Sequence, residues 1–99
     1  MQKGGCIYFV TNTHKTVLYT GVTSNLQQRI HQHRTHFYKN SFTARYNVEC
    51  LVYYEGFDRI EEAIAREKEV KKWNRQKKID LINSFNPEWM DLWEDISKW

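Results

Sequence analysis

Cys6-Ile7-Tyr8-Phe9-Val10 is an unbroken apolar run, and Val17-Leu18-Tyr19-Thr20-Gly21-Val22 is a second. Both are rich in β-branched and aromatic residues, which predicts two strands. Thr11–Thr16 between them is short and polar, so the strands should form an antiparallel hairpin. A symmetric loop of two or four residues would set Tyr8 directly opposite Tyr19 on one face; a loop of three or five would break that pairing.

The period then changes. Ser24 offers an N-cap, and Gln27 completes a Ser-x-x-Gln capping box. Leu26, Ile30 and Phe37 share a stripe, so this helix should end near His36. Residues 38–47 are polar and read as irregular. A third strand should run from Val48 to Tyr54. Asp58 can cap a longer helix over Arg59–Lys72. Ile79, Leu81 and Ile82 suggest a short helix. Asn86-Pro87 reads as an N-cap followed by proline at the first helical position. A last helix then carries Trp89, Leu92, Trp93 and Ile96 on one stripe. The expected fold class is α/β, a three-stranded antiparallel sheet flanked by helices. The 99 residues fit a single domain over 1–99.

Some polar residues fall on apolar faces. With Leu26 at zero on the helical wheel, Ile30 lies near about +40°, Arg29 near about −60° and His33 near about −20°. In the next helix, with Ile60 at zero, Ala63, Ile64 and Val70 fall within about 80°, and Glu67 sits mid-stripe at about −20°. A carboxylate there is costly unless it is paired or holds a metal. A salt bridge to Arg29 is the plain structural alternative. Two phenols, a guanidinium, an imidazole and a carboxylate suit phosphodiester cleavage. A carboxylate can hold a divalent cation, which activates water, and Arg can stabilise charge building on a phosphate. A phenol or imidazole of depressed pKa can take a proton from water.

Composition sharpens this picture. The net charge of +3 conceals an uneven distribution. Residues 1–50 hold six Lys or Arg, all four His and one acid, Glu49. Residues 66–78 hold seven Lys or Arg against Glu67 and Glu69, whereas Asp80–Trp99 holds five acids and one Lys. Two basic segments suit a phosphate-rich partner. Cys6 and Cys50 lie in apolar stretches and read as reduced, buried thiols of a cytoplasmic protein. No apolar run reaches the roughly 20 residues of a membrane span, and Met1–Gly5 resembles no secretory leader. A zinc site from His31, His33, His36 and Cys50 is disfavoured, because His31 points away from the others.

Cys6-Ile7-Tyr8, ten residues, then Tyr19-Thr20-Gly21 resembles the paired signature of the GIY-YIG endonuclease superfamily. Asn25-Leu26, Arg29 and His33 resemble its following helix. Ala63, Glu67, Lys71 and Trp73 resemble its glutamate-bearing helix. Lys78, Leu81-Ile82 and Asn86-Pro87-Glu88-Trp89 resemble the C-terminal pattern of its small, stand-alone bacterial members. The chain also resembles the N-terminal nuclease domain found in excinuclease ABC. Cys6 and Thr20 depart from the family's first glycine and central isoleucine, neither a catalytic position.

The resemblance implies the GIY-YIG fold and an endonuclease that cuts DNA, on branched or damaged structures, with Mg²⁺ or Mn²⁺. It implies that Tyr8 and Tyr19 are the site tyrosines, one of them the general base. Arg29 becomes the phosphate-stabilising arginine, His33 the proton-relay or phosphate-contacting residue, and Glu67 the metal ligand. Asn86 fits either a site asparagine or a helix cap, with Asn83 a weaker candidate. Lys71, Lys72, Arg75, Lys77 and Lys78 would supply the DNA-binding surface. A protein partner or homo-oligomer would add specificity. The alternative function is a non-catalytic nucleic-acid-binding or protein-interaction module on the same fold.

Overall fold

The computed structural model describes residues 4–99. Residues 1–3, on which the leader reading partly rests, lie outside the described residues. The elements are β1 (Gly5–Thr11), β2 (Leu18–Thr23), α1 (Leu26–Arg34), α2 (Phe42–Arg45), β3 (Cys50–Phe57), α3 (Ile60–Lys71), α4 (Arg75–Phe85) and α5 (Trp93–Ile96). The sheet order is β2-β1-β3, antiparallel throughout. The expected α/β class and three-stranded sheet are therefore present.

Every residue of β1 is buried, because β1 is the central strand and both sheet faces are covered. That is why its sequence runs apolar without alternation. Cys6, Tyr8 and Val10 face Leu26 and Ile30 of α1 and Ile96 of α5. Ile7 and Phe9 face Ala63 and Val70 of α3 and Ile82 of α4. Gly5 permits the second packing: a Cβ there would lie 2.6 Å from Ile60 Cδ1.

The hairpin departs from the expected register. Tyr8 pairs with Gly21, and Tyr19 pairs with Val10. The two tyrosines share a face but stand diagonally. The cause is a loop that runs on to Val17. Asn12 closes it, its Oδ1 accepting from the Thr16 and Val17 amides while Nδ2 donates to Thr16 Oγ1. Pairing therefore begins at Thr11 and Leu18.

Other boundaries also move. Asn25, not Ser24, caps α1 by accepting from the Gln28 amide. Gln27 makes no capping box; its Nε2 donates 2.8 Å to the Ser97 carbonyl beyond α5. α1 stops at Arg34, Thr35 is its C-cap, and His36 turns the chain at φ 54°. Phe37 thus leaves the apolar stripe and is exposed. The segment read as irregular contains α2, capped by Ser41 Oγ accepting from the Ala44 amide. β3 lies later than expected, over Cys50–Phe57. Arg59, not Asp58, precedes α3, and its amide donates to Glu62 Oε1.

The C-terminal third is rearranged. α4 is a full helix of 11 residues rather than a short one. Asn86 ends it as a C-cap instead of starting the last helix. Asn86 is buried, its Nδ2 donating to the Val52 and Met90 carbonyls and its Oδ1 accepting from the Met90 amide. Those three backbone bonds tie α4 to β3 and to the following turn. The last helix shrinks to Trp93–Ile96. Just before it, the chain docks on β3: the Leu92 amide donates 2.8 Å to the Leu51 carbonyl, and Leu51 N–H donates to Asp91 Oδ1.

Candidate active site

The site is built around the side chain of Tyr8. Tyr8 stands opposite Gly21, and its ring crosses the glycine's backbone. A Cβ on Gly21 would lie 2.4 Å from both Cζ and Oη of Tyr8. Real Cβ contacts are never that short, so any side chain here would expel the phenol. Gly21 is needed for the room it leaves.

The phenol then reaches α1. Tyr8 Oη lies 3.0 Å from His33 Nε2, and His33 Nδ1 lies 2.9 Å from Thr43 Oγ1. Thr43 Oγ1 lies 3.2 Å from Ser41 Oγ. Arg29, one turn before His33, lies near enough for its charge to act on the Tyr8 phenol. The arrangement that satisfies the bonded groups has Tyr8 O–H donating to His33 Nε2, His33 Nδ1–H to Thr43, and Thr43 O–H to Ser41. The relay fixes the imidazole tautomer.

Charge and burial keep this relay neutral. Burial pulls His33 down to about 4, with the Arg29 charge adding to it. Burial pushes the Tyr8 phenol well above its ordinary range; the neighbouring Tyr19 and Glu67 add to the rise and Arg29 opposes it. Near pH 7 the imidazole is uncharged and the phenol protonated. Of these two groups, the depressed pKa belongs to the imidazole and not to the Tyr8 phenol.

Tyr8 has no exposed surface. The cleft above the relay is lined by Tyr19, Arg29, Gln32 and His33, with Tyr38 and Ser41–Thr43 closing it from the α2 side. Tyr19 packs edge-on against His33, ring centroids 6.1 Å apart, and stacks on Phe42. Solvent therefore meets Tyr19, Arg29 and His33, whereas Tyr8 stands behind them.

Glu67 occupies the apolar side of α3, and its side chain is 13% exposed. It is near enough for its charge to act on the Tyr8 phenol. Its ion pair is with Lys71, Oε2 to Nζ at 2.9 Å, one helical turn on. The salt bridge to Arg29 weighed from the sequence is replaced by this pair. Among the described residues, no group of three or more His, Cys, Asp or Glu is arranged to hold a metal. A single shielded carboxylate still fits a hard cation that keeps waters and takes its remaining ligands from a substrate phosphate.

The basic residues divide. Lys78 is lowered by burial and by the charges of Lys71 and Arg75, so these three cations lie close together. Lys77 instead places its ammonium 4.3 Å from the Trp73 ring centroid, and Arg66 also packs on Trp73. Lys72 is exposed. His31 stacks on Trp93, and His36 lies 3.0 Å from Glu49, so neither joins His33. Asn83 accepts from the Trp89 indole. The sequence missed Thr43 and Ser41: α2 has no apolar period to reveal it, and Thr43 meets His33 across ten residues of turns.

Comparison with known proteins places the chain in a family. Residues 4–80 match the family model of the GIY-YIG catalytic domain. A UPF0213 protein of Syntrophus aciditrophicus is 34% identical over 84 residues, covering 85% of this chain and 94% of that protein. UPF0213 proteins of Staphylococcus saprophyticus and Clostridium perfringens are 41% and 42% identical, over 67% and 68% of this chain and 79% and 71% of theirs. No solved structure matches the chain. The two tyrosines, Gly21 of β2 and the helix of Arg29 and His33 lie within the matched residues, a span of most of the protein, and the chain belongs to the GIY-YIG family.

Proposed function

We propose that this protein is a divalent-metal-dependent endonuclease that hydrolyses phosphodiester bonds in DNA. The observation that carries the reading is the uncharged His33, bonded to a buried Tyr8, in a cleft walled by Arg29 and Tyr19. A phosphate in that cleft would meet the Arg29 fork, which neutralises charge building on the phosphoryl oxygens. Tyr19 would donate to a phosphate oxygen and hold the group against Arg29. Tyr8 Oη is covered in the free protein, so the proton transfer would need substrate binding to admit the attacking water to it; Tyr8 Oη would then accept the water proton as its own passes to His33 Nε2. The water oxygen then bonds phosphorus as the ester oxygen leaves.

Glu67 would hold the Mg²⁺ or Mn²⁺, in competition with Lys71. When bound, the cation lowers the pKa of water and polarises the phosphate. Lys71, Arg75 and Lys78, with Lys72 and Lys77 beside them, would attract the DNA backbone through charge, giving binding that weakens steeply with salt and depends little on sequence. A protein partner or second copy would supply specificity, and the compartment would be the cytoplasm. Among the described residues, no helix is long and apolar enough to cross a membrane.

The test is a nuclease assay with Mg²⁺ and with Mn²⁺ on plasmid, linear, single-stranded and branched DNA. Metal-dependent cleavage of at least one substrate is expected. Binding to DNA without cleavage under any metal would instead support the non-catalytic module.

A further inference from the structure

Four large aromatic side chains stand in water beside the cleft. Phe37 is 63% exposed, Tyr38 56%, Phe42 50% and Tyr46 44%. They lie on the turn after α1, on α2 and at its C-cap Tyr46, and α2 also lines the cleft through Phe42. Phe37 and Tyr38 meet edge to face at 4.9 Å. Phe42 contacts Tyr46 at 4.8 Å and stacks on Tyr19, which reaches the cleft itself. A domain of this size has little reason to leave four rings in solvent unless something covers them.

The surrounding charge identifies what covers them. From Asn12 to Val48 the chain has no Asp or Glu, while Lys15, Arg29, Arg34, Lys39 and Arg45 fall in that span. The rings are therefore interleaved with cations along the chain; Asp91 pairs with Arg34 and Glu49 lies against His36, which leaves Lys15, Arg29, Lys39 and Arg45 as the excess positive charge of the span. A protein ligand would need apolar side chains and many negative charges together. A nucleic-acid strand with unpaired bases has both features in every nucleotide, a flat π face and a phosphate. A duplex hides its base faces and would meet this surface with phosphates alone.

We propose that Phe37, Tyr38, Phe42 and Tyr46 form a stacking platform for the unpaired bases of a DNA strand whose phosphate occupies the Arg29–His33 cleft. This deepens the nuclease reading and rests on it for the phosphate position. It makes the preferred substrate one with unpaired nucleotides next to the cut.

The experiment measures binding, in EDTA, of short labelled strands of equal length: base-bearing, fully abasic, and annealed into a blunt duplex. The abasic strand keeps every phosphate and removes every base. We expect the base-bearing strand to bind roughly tenfold or more tighter than either competitor, the range that stacking of one or two bases gives. Phe37→Ser with Tyr46→Ser, neither of which lines the cleft, should remove most of that advantage and leave abasic affinity unchanged, which also reports that the variant is folded. Equal affinity for abasic and base-bearing strands would overturn the platform, as would failure to bind any strand or an advantage that survives the double substitution. A platform built for a protein would give the first of these results. Cleavage is scored separately: a protein that cuts DNA but ignores bases sinks only this proposal, and one that prefers bases but never cuts sinks only the nuclease reading.

Discussion

β1 sends alternate side chains into two unlike environments. Ile7 and Phe9 enter an apolar layer with Val52, Ala63, Val70 and Ile82. Tyr8 enters the opposite layer and there meets Arg29, His33 and, through them, Thr43 and Ser41. Both layers are buried at the strand, but only in the second does a polar chain reach a side chain of β1; in the first, the series Tyr53, Glu55 and Arg66 ends on partly exposed side chains. Burying that chain is tolerable because the Tyr8 hydroxyl, both His33 ring nitrogens and the Thr43 and Ser41 hydroxyls all have partners. The difference teaches where substitution should cost stability and where it should cost chemistry.

The largest stability effect is expected on the apolar layer. Phe9→Ala empties a fully buried site against Tyr53 and should lower unfolding free energy by about 3–5 kcal/mol, read by urea titration. A loss below about 1 kcal/mol would show that this layer is loosely packed.

Gly21→Ala joins the two environments. Its methyl group collides with the Tyr8 phenol, so Tyr8 must leave its bond to His33. A cost of about 1–3 kcal/mol is expected together with loss of cleavage. Full activity in this variant would mean that the Tyr8–His33 bond is dispensable.

The polar layer also predicts a pH response. His33 sits at about 4 in the folded protein against an ordinary 6.5. Between those values the unfolded chain binds a proton that the folded chain refuses. The stability linked to neutral His33 is therefore complete above 6.5 and is lost as the pH falls towards 4. His33→Asn should flatten the stability curve in that window relative to the parent; parallel curves would show that His33 is not held neutral.

Thr43→Val removes the partner of His33 Nδ1 while keeping shape. About 1 kcal/mol should be lost, and the ¹⁵N shifts of His33 should report a changed tautomer balance. Unchanged shifts would place tautomer control elsewhere. Glu67→Gln should have the smallest effect on stability, within about 0.5 kcal/mol, because it ends only a single-turn pair with Lys71. Metal-dependent cleavage should vanish. A marked fall in Tm with cleavage retained would make Glu67 structural.

The contrast also explains what could be read in advance. Strands and the apolar stripes of α1 and α3 follow from period alone. Arg29, His33 and Glu67 stood out because each breaks such a stripe. The diagonal placement of the tyrosines was hidden, since it depends on Asn12 closing a longer loop. Asn86-Pro87 has the residues of a helix start, but the Asn86 side-chain amide bonds Val52 and Met90 and ends the preceding helix instead. Both surprises come from side chains bonding to the backbone, which leaves no periodic trace.

The bonds from Leu92 and to Asp91 at Leu51 carry a consequence for solution behaviour. β3 is an outer strand of the sheet, and an unshielded outer strand recruits other chains to extend it. The segment before α5 occupies part of that margin, accepting and donating where a stranger's strand would. The final turns thus act as a guard against self-association, and a protein shortened before Asp91 would offer its neighbours an open place in the sheet.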